Sequence, residues 1–111
     1  MQVKVEDKGT FCVCYITGEI DINTSPQIKK EFDKLTASKR KNILISFKNV
    51  AYIDSSGLAT LVELLKNIRN YGGKLKLSNL SHKIKSLFEI TKLEKLFDIL
   101  SDEQDAVMAF A

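Results

Sequence analysis

The sequence predicts an α/β domain, a mixed β-sheet of four to five strands packed with about four helices. Three observations carry that expectation. Short runs rich in β-branched and aromatic residues alternate with longer segments whose apolar residues recur at helical spacing. The first two strand-like runs are separated by the turn-forming Asp7-Lys8-Gly9, which argues for an antiparallel hairpin. Each later strand is followed by a helical segment, the pattern that makes neighbouring strands parallel. At 111 residues the chain is long enough for one hydrophobic core and too short for two, so 1–111 is expected to be a single domain.

The elements follow in order. Val3 and Val5 alternate with Lys4 and Glu6, as in a strand with one buried face. Phe11 to Thr17 reads as a strand covered on both faces, and Gly18-Glu19-Ile20-Asp21 leaves it. Asn23-Thr24-Ser25-Pro26 is a helix start: a hydroxyl can accept from the free first-turn amides, and proline has no amide to leave unpaired. Ile28, Phe32 and Leu35 then mark one helical face, ending near Ser38. Asn42 to Phe47 is an apolar strand, from which Val50, Tyr52 and Ile53 lead onward.

Leu58, Leu61, Val62, Leu65 and Ile68 lie on one face of the next helix, which Gly72-Gly73 ends. Lys74 to Leu77 alternates as a strand, and Ile84, Leu87 and Phe88 define a short helix beginning near Ser81. Phe97 to Leu100 is a candidate last strand. Ser101-Asp-Glu-Gln104 has capping-box spacing ahead of a terminal helix bearing Ala106, Val107 and Phe110.

Composition narrows the function classes. An apolar share of 44% with 28% charged residues is that of a soluble globular domain, and no apolar stretch is long enough to span a membrane. The N-terminal segment alternates and has no apolar core of a secretory signal, so a cytoplasmic protein is expected. The tight basic cluster Lys39-Arg40-Lys41 falls where a helix hands over to a strand and reads as a solvated loop rather than a nucleic-acid face. Cys12 and Cys14 share a strand face and read as buried small residues; with one histidine, His82, they do not make a metal site.

Most catalytic signatures are missing. There is no nucleophile elbow, phosphate loop or dinucleotide fingerprint. His82, the single candidate base, is expected in the first turn of a surface helix, away from any triad. No cofactor is expected.

What remains is Asp54-Ser55-Ser56-Gly57-Leu58, just before the long helix. Aspartate and serine cap helices because their oxygens accept from orphan amides, so capping alone explains the residues. The same end carries partial positive charge and tolerates an added anion, so an exposed serine there can carry a phosphate without melting the helix.

Two segments here, Thr17-Gly18-Glu19-Ile20-Asp21 and Tyr52-Ile-Asp-Ser-Ser-Gly-Leu58, resemble those of the anti-sigma-factor antagonists, small bacterial STAS-domain proteins. Gly72-Gly73 and Leu87-Phe88-Glu89-Ile90-Thr91 also fit, and the resemblance covers nearly the whole chain, although Ala59 stands where relatives often carry another glycine. The resemblance implies a STAS fold and a partner switch. Unphosphorylated, such a protein binds an anti-sigma factor with serine kinase activity and so frees a sigma factor. Phosphorylation on the first serine, here Ser55, ends the contact, and a phosphatase acting on phosphoserine resets it. Asp21, Asp54, Ser56, Gly57 and Leu58 are then expected at the partner contact, with no catalytic or metal-binding residue. Two other readings stay open: a scaffold subunit of a larger sensory or transport assembly that is never phosphorylated, and a small hydrolase using one of the serines.

Overall fold

A computed structural model describes residues 1–110. Its strands are β1 (Gln2–Asp7), β2 (Cys12–Ile20), β3 (Asn42–Ile53), β4 (Lys74–Ser78) and β5 (Asp98–Leu100). The helices are α1 (Ser25–Ala37), α2 (Ser55–Asn70), α3 (His82–Ile90) and α4 (Glu103–Ala109), with one 3-10 turn at Leu93–Lys95. The strands lie side by side in chain order; β1 and β2 are antiparallel, and every later pair is parallel. The mixed sheet and the four helices agree with the sequence expectation.

A sheet wound in one direction without reversal puts its crossover helices on one face, because such crossovers share one hand. The packing follows. Ile28, Phe32 and Leu35 of α1, Leu61, Leu64 and Ile68 of α2, and Ile84 and Phe88 of α3 share one core with Cys12, Cys14, Ile16, Ile43 and Ile45 of the sheet. The opposite face is covered by α4, where Ala106 and Phe110 meet Phe11, Val13 and Leu44. The Phe11 and Phe110 rings stack with centroids 5.1 Å apart, and Tyr15 Oη donates to Glu103 Oε1 at 2.5 Å. Successive residues of β2 therefore alternate between two cores, and Cys12 and Cys14 both face the larger one.

Four expectations are corrected. β2 does not end at Thr17 but runs to Ile20, with register irregularities against β3 around Tyr15–Thr17 and Gly18–Glu19. Gly18 sits at φ +108°, and a Cβ there would lie 3.3 Å from Met1 Cα, so glycine suits both the backbone and the close approach. β3 likewise extends past Phe47 to Ile53. At the start of α1 Thr24 accepts from no helix amide; its hydroxyl accepts from Asp21 N and donates to the Glu19 carbonyl. The cap of α4 is Asp102, which accepts from Asp105 N, one residue later than the Ser101 spacing predicts. Lys39-Arg40-Lys41 forms the α1–β3 connection as expected, with Arg40 paired to Asp7 at 3.4 Å.

Candidate functional site

Parallel pairing brings Ile20 opposite Ile53, so the next residues, Asp21 and Asp54, emerge side by side at the carboxyl rim of the sheet. From there the chain turns into α1 after one strand and into α2 after the other. The rim is held by backbone as well as side chains: Asp54 N donates to the Ile20 carbonyl at 3.0 Å.

Asp54 is the N-cap of α2. Its Oδ1 accepts from Ser56 N at 3.0 Å, Gly57 N at 3.2 Å and Ser56 Oγ at 2.6 Å, while Oδ2 accepts from Ile22 N at 3.2 Å. The Ser56 hydroxyl above all, joined by the Gly57, Ser56 and Ile22 amides, holds this carboxyl below its ordinary range, while desolvation pulls the other way. Asp21 plays a parallel part in its own loop, its Oδ1 accepting from Asn23 N at 2.8 Å and Thr24 N at 3.1 Å. Two carboxylates thus stand beside each other, each already occupied by donors from the local backbone.

The two serines are separated by this geometry. Ser56 Oγ is tied to Asp54 and lies 3.1 Å from Ser25 Oγ, which donates to the Asp21 carbonyl at 2.7 Å. That chain joins the first turns of α1 and α2. Ser55, the first residue of α2, is exposed, and its hydroxyl makes no hydrogen bond among the described residues. Gly57 is buried where α2 touches the sheet: a Cβ would come within 2.6 Å of Ile20 Cγ2 and 2.7 Å of Ile53 Cγ1. Leu58 is 7% exposed and belongs to the larger core.

Beside Ser55 a groove of about 370 Å³ opens between the end of β3, the first turn of α2 and α3. Tyr52, Leu58, Ile84 and Leu87 make its walls mainly apolar, and Asp54, Ser55 and Lys83 also line it. Tyr52, on the groove, is an exposed large apolar residue, as are Ile22, just after Asp21, and Ile90 of α3. Of the residues expected at a contact, Asp21, Asp54, Ser55 and Ser56 thus come together on one rim, whereas Gly57 and Leu58 lie beneath it. Sequence reasoning placed Ser25 and Leu87 only as helix residues and did not name Ile22 or Lys83, so none of the four was expected at the site. Ser25 and Ile22 carried a signal in their closeness to Asp21, but the α3 residues lie some thirty positions away in the chain.

The site is thus a serine-bearing helix start at the carboxyl rim of a five-stranded mixed α/β sheet. The STAS domain family matches residues 2–106. Over 92 residues the chain is 37% identical to the anti-sigma-B factor antagonist of Bacillus subtilis (strain 168), covering 83% of this chain and 84% of that protein. The chain belongs to the STAS domain family, among its anti-sigma-factor antagonists. The fold agrees with the crystal structure of an anti-sigma factor antagonist from Mycobacterium paratuberculosis, with a TM-score of 0.90, 23% identity and coverage of 98% of this chain and 92% of that one. It also matches the Bacillus cell fate determinant SpoIIAA in its phosphorylated form, with a TM-score of 0.75, 18% identity and coverage of 97% and 99%. The Bacillus subtilis relative is named as an antagonist of an anti-sigma factor, which agrees with the non-catalytic reading of the serines. No helix among the described residues is long and apolar enough to cross a membrane.

Proposed function

We propose that this chain is a cytoplasmic anti-sigma-factor antagonist working as a phosphorylation-controlled partner switch. One observation carries the reading: of two adjacent serines at a capped helix start, Ser56 is built into the structure and Ser55 is exposed with a free hydroxyl. Unphosphorylated, the rim formed by Asp21, Asp54, Ser55 and Ser56, supported from below by Gly57 and Leu58, binds an anti-sigma factor and so frees a sigma factor. That anti-sigma factor is itself a serine kinase. Ser55 Oγ attacks the γ-phosphorus of ATP, the hydroxyl proton is lost and ADP leaves. The phosphate adds about −1.5 to −2 charges beside two carboxylates, and a contact fitted to the unphosphorylated rim does not accommodate the added bulk and charge, which ends the association. A phosphatase hydrolyses the ester with water, returning serine and inorganic phosphate. The whole chain acts as one domain, without cofactor, and touches neither nucleic acid nor membrane.

Support comes from the fixed helix start. Phosphate on the first residue of α2 adds to the positive end of a helix dipole and displaces no hydrogen bond of Ser55, so the fold tolerates it. The test is incubation with the partner kinase and ATP, followed by mapping of the phosphate. Ser55→Ala is expected to abolish labelling, and Ser56→Ala to retain it at Ser55. Labelling of Ser55→Ala at the wild-type level refutes the assignment. Isolation from cells in a stable large assembly with no phosphoserine at any growth stage instead favours a constitutive scaffold.

A further inference from the structure

Helix α3 begins His82-Lys83-Ile84-Lys85, capped by Ser81 and with no acidic residue in its first turn. The amino end of a helix is already partially positive, and acids normally occupy it, so two lysines there leave an uncompensated positive potential. Lys83 is exposed and forms no ion pair among the described residues. It lines the groove that Ser55 also lines, whereas Lys85 lines different clefts near Ile99 and Leu100. The other charged group on the groove, Asp54, already accepts from Ile22, Ser56 and Gly57 and repels a second anion.

We propose that Lys83 and the amino end of α3 are the intramolecular counter-charge for a phosphate on Ser55, drawing it across the mouth of the groove. The inference rests on the phosphorylation reading above. Repelled by Asp54 on its own helix, the phosphate has Lys83 as the cation lining the groove it shares. Bridged in this way it covers the apolar wall formed by Leu58, Ile84 and Leu87. Phosphorylation then closes a docking concavity as well as adding charge, and a partner side chain seated there loses its place.

The test uses the full chain with phosphoserine installed at position 55 during translation, so that no kinase is required. The second ionisation of the phosphate is followed by phosphorus NMR in wild type, Lys83→Gln, Lys83→Arg and Lys85→Gln backgrounds. A neighbouring cation favours the doubly charged phosphate, so wild type is expected to titrate about half a pH unit below Lys83→Gln. Lys83→Arg restores the wild-type value, and Lys85→Gln leaves it unchanged. Equal titration of wild type and Lys83→Gln overturns the proposal, as does an equal displacement by Lys85→Gln, which indicates a diffuse field rather than a specific partner. Unphosphorylated Lys83→Gln, a surface change, is expected to melt with wild type, so a folding defect is detected separately. Failure of a kinase to label Ser55 counts against the switch, while this titration succeeds or fails independently.

Discussion

Gly57→Ala is the substitution whose cost the geometry defines most sharply. A Cβ at this position lies 2.6 Å from Ile20 Cγ2, 2.7 Å from Ile53 Cγ1 and 3.2 Å from the Ile20 carbonyl oxygen. Ordinary carbon–carbon contact is about 3.5–4.0 Å, so the methyl overlaps two side chains by roughly 1 Å each. Neither can yield easily: Ile20 is 1% exposed and Ile53 3%, both packed in the larger core. Overpacking of this kind costs about 1–3 kcal/mol, and the helix preference of alanine over glycine returns at most about 1 kcal/mol. The net expectation is a loss of about 1–2 kcal/mol. Urea denaturation followed by circular dichroism is expected to show a midpoint lower by roughly 0.3–2 M, since small domains have slopes of about 1–3 kcal/mol per molar urea. Ile20→Ala removes one clashing methyl, so the double variant is expected to lose less than the sum of the single losses. A Gly57→Ala protein as stable as wild type, with additive behaviour in the double variant, refutes the close-packing account of this glycine.

Two further predictions concern protons. Asp54 is held below its ordinary pKa, so its contribution is present above the usual carboxylate range and is lost as pH falls through it. Asp54→Asn keeps a capping oxygen but does not titrate; urea midpoints at pH 7, 4.5 and 3 are expected to show the gap between wild type and variant shrinking, and a constant gap refutes the idea. At the alkaline end burial pushes the Cys14 thiol up to about 12, and burial followed by the bond to Glu103 pushes Tyr15 up to about 12. The unfolded chain ionises these groups near about 8.5 and 10, so it binds fewer protons than the native one and stability falls as pH rises from about 9 toward 12. Cys14→Ala is expected to remove the earlier part of that fall, and an unchanged profile counts against the assignment.

Much of the fold was legible because its elements are short and strongly patterned. The helical faces of α1 and α2, the cap at Asp54 and the element order all follow from local chemistry. The second half of β3 was hidden for a physical reason. Lys48, Asn49, Ala51 and Tyr52 are exposed while Val50 and Ile53 are buried, a spacing of three that breaks the alternation expected of a strand. The parallel pairing with Gly18–Ile20 that holds this segment lies thirty residues away, beyond any local signal. The cap of α4 was misplaced because Ser101 and Asp102 are both capping residue types, and backbone geometry alone chooses between them. Within the site the sequence marked the acid and the two serines. It did not mark the role of Ser25 in fixing Ser56, nor the groove, which needs three elements to meet.

The approach of Met1 to Gly18 bears on how the protein should be handled at the bench. Gly18 lies toward the carboxyl end of β2, three residues before Asp21, while Phe110 stacks on Phe11 at the strand's other end. A strand of this length spans about 30 Å, so the two ends of the described chain face opposite poles of the molecule. A fluorophore or affinity handle joined ahead of Met1 emerges beside the serine-bearing rim and competes for space with whatever binds there. A label carried near Phe110 instead sits at the far pole. Binding measured with labels in the two positions therefore reports, without any mutation, which pole the partner covers.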